Sequence, residues 1–128
     1  MAGKRGALVP RPVKITEYEI VFSSAQAERG WTDLKTVGRN ALADAYDHLT
    51  AHPALYDAAH CYQLKGDLEG VLVDGVALPQ WQYKVTNGAR IWYVVDEPNA
   101  KAKKLGRVII TNAVTGHPDE TDSKKNFR

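Results

Sequence analysis

Between Glu17 and Phe22 the apolar side chains Tyr18, Ile20 and Phe22 fall on alternate positions, the pattern of a strand with one buried face. The period then lengthens. Ser23 and Gln26 have the spacing of a capping box, and Ala27, Trp31 and Leu34 form one stripe of the helix it would open. Gly30 weakens that helix and Gly38 stops it. From Arg39 to Ala51, Leu42, Ala45, Tyr46 and Leu49 recur at i, i+3, i+4 and i+7, which predicts a second amphipathic helix. Pro53 ends it by pushing His52 out of the α region. Two short helices joined by a tight turn make an αα-hairpin.

The second half reads as sheet. From Gln80 to Thr86 the residues Trp81, Tyr83 and Val85 alternate with Gln82 and Lys84. Asn87-Gly88 follows as a hairpin signal, because both residue types tolerate positive φ. Arg90 to Val95 is almost wholly apolar, as expected of a central strand covered on both faces. Residues 96–106 are a polar connection, and Arg107 to Val114 supplies the last strand. Lys65 to Pro79 is glycine-rich and weakly patterned, and reads as an insertion between the helices and the sheet. The expected class is α+β, in the order β-α-α-β-β-β, with the αα-hairpin packed on an antiparallel sheet. One face of that sheet is left to be solvated or used.

Composition narrows the class without adding chemistry. The 128 residues suit one domain. Residues 1–14 read as a flexible basic tail, 15–118 as a single domain and 119–128 as a polar tail. No apolar run approaches the roughly 18 residues of a membrane helix, and Met1 to Lys14 has no apolar stretch of a secretory signal. The lone Cys61 has no disulfide partner, so a reducing cytoplasm is the expected compartment. The net charge of +2 is unevenly spread. Acids outnumber bases from Ile15 to Asp96, whereas the first 14 residues carry no acid. A late basic cluster gathers Lys101, Lys103, Lys104 and Arg107. Localised cations on a near-neutral chain suggest a local anion contact, or simply solubilising loops. There is no P-loop, dinucleotide glycine fingerprint, metal-ligand spacing or nucleophile elbow, so no metal or cofactor is expected.

Several of these elements, taken in order, resemble the RelE/ParE toxin superfamily. They are the β-α-α-β-β-β order, the Leu64-Lys65-Gly66 element after the second helix, and the aromatic-basic strand Trp81-Gln82-Tyr83-Lys84-Val85. The stretch from Gly88 to Asp96 is similar to the family's G-x-R-x-x-Y central strand, and Val108-Ile109-Ile110 leading to Gly116-His117 to its last strand. The resemblance implies a toxin of a toxin–antitoxin pair, held inactive by a cognate antitoxin. RelE-like members cut messenger RNA on the ribosome, and ParE-like members act on DNA gyrase. The leading expectation is the ribosome-dependent endoribonuclease. The alternatives are a ParE-like gyrase inhibitor without chemistry, or a degenerate member that only binds its antitoxin.

Metal-free RNA cleavage needs a base, cations at the phosphate, and an acid for the leaving oxygen. The resemblance assigns Arg90 and Lys84 to the phosphate, Lys84 also being a possible base, and His117 to proton transfer. Lys65, Gln82 and Arg107 join them as RNA contacts. Gln82 stands where the family carries a basic residue, and Pro118 where many members carry an arginine. Arg90 has a plainer reading as a salt bridge to Asp44 or Asp47 on the second helix. His48, His52 and His60 read as surface residues, and Tyr93 as a core residue with a bonded hydroxyl. Trp31, Trp81 and Trp92 read mostly as core, although one on the open sheet face could stack a base.

Overall fold

The computed structural model describes residues 5–66 and 70–116. Strand β1 (Tyr18–Phe22) leads into helices α1 (Ala25–Val37) and α2 (Arg39–Ala51). Strands β2 (Cys61–Gln63), β3 (Gly70–Val73), β4 (Val76–Lys84), β5 (Arg90–Asp96) and β6 (Gly106–Val114) follow. The α+β expectation is met: two helices cover one face of a six-stranded sheet ordered β1-β6-β5-β4-β2, with β3 on β4.

The sheet is mixed, which corrects the antiparallel expectation. β1 lies parallel to β6, Tyr18 opposite Gly106 and Phe22 opposite Ile110. Neighbouring strands in the second half pair through short links, and that part is antiparallel as expected. The first strand has no local partner. It closes the sheet only after both helices have crossed it.

The alternating and helical stripes meet in one core. Ala27 and Leu34 of α1 and Leu42, Ala45 and Leu49 of α2 pack on Ile91, Tyr93, Val95, Val108 and Ile110. Each large apolar side chain buried in this way contributes roughly 1.5–3 kcal/mol. The ring of Trp31 bridges Phe22 and Tyr46 edge-on, joining β1 to both helices. Gly30 does not end α1. A Cβ there would stand 2.0 Å from the Ala113 carbonyl oxygen, so its bareness lets the helix lie directly on β6. The N-cap is Ser24, not Ser23: the Ser24 Oγ accepts from the Ala27 amide at 3.1 Å. The Ser23 amide instead donates to the Ile110 carbonyl and prolongs the sheet.

The hairpin expected at Asn87-Gly88 joins β4 to β5, but through a different turn, and a second hairpin lies where none was expected. Asn87 and Gly88 keep negative φ, and residues 85–89 form a longer loop between Lys84 and its partner Arg90. The two-residue turn with positive φ is Asp74–Gly75 (51° and 82°), between Val73 and its partner Val76. Aspartate and glycine tolerate those angles, and the turn's twist suits a hairpin. The weakly patterned insertion therefore holds β3 and the start of β4, and β2 precedes it, so two strands are added to the expected order. β2 and β3 both pair with β4, and residues 65–69 intervene between Leu64, whose amide donates to Gln80, and Gly70, opposite Pro79.

Candidate functional site

Strand alternation puts Tyr62, Gln80, Gln82, Lys84, Trp92 and Arg107 on the sheet face away from the helices, where Leu64, Trp92 and Tyr62 form a second apolar cluster. Gln82 sits at its centre, only 2% exposed. Its Nε2 donates to the Tyr62 hydroxyl at 2.7 Å, and its Oε1 accepts from Trp92 Nε1 at 2.7 Å. A buried amide must be satisfied in this way. Both ends of Gln82 are thus engaged within the fold, and Trp92, although on the open face, is nearly covered.

Beside this network, a register shift between Trp92 and Tyr93 leaves Thr111 unpaired in the ladder. The Thr111 hydroxyl donates to Gln80 Oε1 at 2.5 Å, reaching over β5 to β4. Gln26, Gln80, Trp92, Thr111 and Asn112 line an uncharged polar pocket of about 220 Å³ there. Tyr62, Gln80 and Thr111 escaped the sequence reading. The usable signal was Gln82 itself, a polar residue midway along an apolar strand, which requires partners.

Of the five candidate residues that are described, Gln82, Lys84 and Arg90 share the open face, Lys84 directly opposite Arg90, whereas Lys65 lies beyond β2 and Arg107 on β6. Lys84 remains on the open face, its Nζ 6.0 Å from the centre of the Tyr62 ring, a cation–π distance. Arg90 is 3% exposed. Its Nη1 donates to the carbonyls of Thr86 (2.9 Å), Asn87 (3.0 Å) and Ala89 (3.1 Å), and its buried Nε has no partner. It clamps the 85–89 loop in place of the helix salt bridge envisaged from sequence. Lys65 is exposed at the rim of a pocket of about 510 Å³ lined also by Tyr56, Ala58, Tyr62, Gln63 and Trp81. Arg107 faces Glu19 across the parallel pair at 3.9 Å. His117 lies outside the described residues, as does Pro118.

On the helix side, Tyr93 is fully buried, as its sequence context implied. Its hydroxyl donates to the Pro53 carbonyl at 2.6 Å, leaving the Cys61 thiol to donate to the phenolic oxygen at 3.1 Å. Burial pushes the ionisation of Tyr93 and of Cys61 upward, so neither group serves as an anion near neutral pH. His48 departs from the surface expectation. Its ring packs against Tyr83 at a tilt of 34°, centroids 4.9 Å apart, and its Nε2 is buried without a partner. Burial, then the neighbouring His52, lower its pKa below 6.5, with Asp57 opposing. His60 does lie at the surface, paired with Asp57 at 3.2 Å. Among the described residues no group of three or more histidine, cysteine or acidic side chains gathers to hold a metal, and no helix is long and apolar enough to cross a membrane.

No family model matches the sequence, and no curated protein matches it. Among solved structures, a YoeB/ParE toxin from Agrobacterium tumefaciens is similar. The likeness covers 75% of this chain and 96% of that one, with a TM-score of 0.54 and 14% identity. At that identity the match speaks for the fold. The resemblance carried by the strand motifs is borne out at that level, with two helices on a six-stranded sheet.

Proposed function

We propose that this chain is the toxin of a toxin–antitoxin pair, and that it acts in the cytoplasm by holding a macromolecular target on its surface rather than by cutting RNA. The fold supports the first half of that reading. The second half rests on one observation: Arg90, the residue assigned to the phosphate, is buried with its Nη1 bonded to three loop carbonyls. A guanidinium that stabilises a phosphate must offer its planar fork to the substrate. Withdrawing Arg90 would break all three of these bonds, although the Ala89 carbonyl would keep the Val85 and Thr86 amides as donors. Gln82 is equally committed, between Tyr62 and Trp92. A protein target of the DNA gyrase type and a cognate antitoxin are the partners this reading implies.

A second reading, the ribosome-dependent endoribonuclease acting on messenger RNA, draws on Lys84. That ammonium stays on the open face beside Tyr62, where a base and its phosphate would lie together. It would need His117 for proton transfer and the exposed Lys65 and Arg107 as further cations.

Inducible expression in bacteria separates the two. The binding reading expects growth arrest with intact messenger RNA and DNA-damage signalling. New messenger RNA ends at codon boundaries, lost in Lys84→Ala and His117→Ala, would instate the nuclease instead. A soluble product that leaves growth untouched would leave only the degenerate antitoxin-binding alternative.

A further inference from the structure

Arg11 and Lys14 of the N-terminal tail and the cluster from Lys101 to Arg107 are far apart in the chain, yet they lie at one end of the sheet. The parallel pairing of β1 with β6 brings them together, because both strands start there, Tyr18 opposite Gly106. The Glu17 amide donates to the Lys14 carbonyl at 2.8 Å, which holds Lys14 beside the start of β1. The Tyr18 hydroxyl donates to Glu97 at 2.8 Å and ties that start to the link between β5 and β6.

The carboxylates of these segments are already engaged. Glu17 pairs with Arg11 at 2.8 Å, Asp96 with Lys104 at 2.8 Å and Glu19 with Arg107 at 3.9 Å, while Glu97 holds the Tyr18 hydroxyl. Among the described residues, Lys14, Lys101 and Lys103 are left exposed with no ion-pair partner. Lys101 and Lys103 stand on a turn fixed by its own backbone. Asn99 and Lys104 exchange two amide-to-carbonyl bonds of 2.9 Å, and Asn99 Oδ1 accepts from the Ala102 amide at 3.2 Å. The short side chains of Ala100 and Ala102 leave both ammonium groups unshielded. Lys103 has a φ of 54°, a left-handed conformation that glycine takes without strain. A lysine there lowers stability and keeps a cation in a set place.

The surroundings select the anion. Residues 96–107 hold no aromatic side chain and no exposed large apolar one. The Tyr18 ring lies against Gly106, where a Cβ would stand 2.5 Å from it. An unstacked base finds no platform here, which disfavours a single strand. A protein interface centres on apolar or aromatic anchors and is poor in lysine. A row of phosphates needs only cations, each of which releases a counterion on contact.

We propose that this end of the sheet holds the phosphate backbone of a double-stranded nucleic acid through Lys14, Lys101 and Lys103, without reading its sequence. It lies at the opposite end of β5 from Arg90, so the contact is independent of the target on the open face.

The test is fluorescence anisotropy of the purified full-length chain with a random-sequence DNA duplex and with an RNA duplex of equal length, over a salt series. Three phosphate contacts give a slope of about −2.7 in log affinity against log salt on DNA. Lys14→Ala, Lys101→Ala and Lys103→Gly should each reduce that slope by about 1. Lys103→Gly should do so without lowering the thermal midpoint, which separates a binding role from a structural one. Lys35→Ala combined with Arg39→Ala, two exposed cations of the helical hairpin, should leave the slope unchanged. The duplex bound more tightly identifies the source of the phosphates. Ile15, 82% exposed beside Lys14, would suit an anionic membrane instead, so phosphatidylserine–phosphatidylcholine vesicles form a further arm. The proposal is overturned if the triple lysine variant binds as the wild type does, or if the helix variant loses as much. Tighter binding to single strands or to the vesicles than to either duplex overturns it equally.

Discussion

The Tyr93 hydroxyl donates a 2.6 Å hydrogen bond to the Pro53 carbonyl, tying the central strand β5 to the residue that follows the end of α2. The same oxygen receives the Cys61 thiol of β2 at 3.1 Å, so one buried phenol joins three parts of the chain. Tyr93→Phe keeps the ring and removes the joint, leaving the Pro53 carbonyl without its donor. A loss of about 1–3 kcal/mol is expected in urea unfolding. An unchanged midpoint would mean that water replaces the hydroxyl.

Gly30→Ala tests the contact between α1 and β6. In an isolated helix this change stabilises by about 1 kcal/mol. Here the new Cβ would meet the Ala113 carbonyl oxygen at 2.0 Å. The expected result is a loss of roughly 1–3 kcal/mol as the helix lifts from the strand, read as a lower thermal midpoint. A gain would refute the close approach.

Arg90→Ala and Lys84→Ala should part company. Arg90→Ala releases the 85–89 loop and is expected to cost about 1.5–3 kcal/mol, the range for bonds to charged groups. Lys84→Ala should shift stability by no more than about 0.5 kcal/mol, while weakening whatever the open face holds. Thermal melts alongside growth assays check both. A loss of toxicity in Arg90→Ala therefore counts as functional only if the variant remains folded.

His48 makes stability depend on mild acid. The folded protein holds the ring neutral, below its ordinary pKa of 6.5, so the unfolded chain takes up the proton first. The contribution is complete above pH 6.5 and falls as the pH drops through the folded value. His48→Phe should preserve the ring contact with Tyr83 and flatten that part of the pH profile. A wild-type curve with the same slope as His48→Phe between pH 7 and about 5 would contradict this.

Much of the fold was legible because its signals are local. The stripe Leu42, Ala45, Leu49 needs only a helical period, and all three are buried on the sheet. The apolar run in β5 asks for cover on two faces, and from Arg90 to Val95 every residue is buried. The Asp74–Gly75 hairpin was equally local, but weak apolar patterning around it hid a signal that the turn residues carry plainly. The site was far less legible. Arg90 matches a family motif by position, yet what its guanidinium touches depends on the path of the 85–89 loop, and the same motif would serve a free arginine.

Periodicity along the chain was enough to establish two helices, the strands that carry the core, and the side of each that is buried, because each rests on neighbours within a few residues. Tertiary structure alone decided that β1 lies parallel to β6, that Gln82 is locked between Tyr62 and Trp92, and that Arg90 is buried against the 85–89 loop. Those outcomes join residues far apart in sequence or depend on how a loop is drawn over the sheet. Their energies arise only once the chain has closed on itself, and no local pattern encodes them.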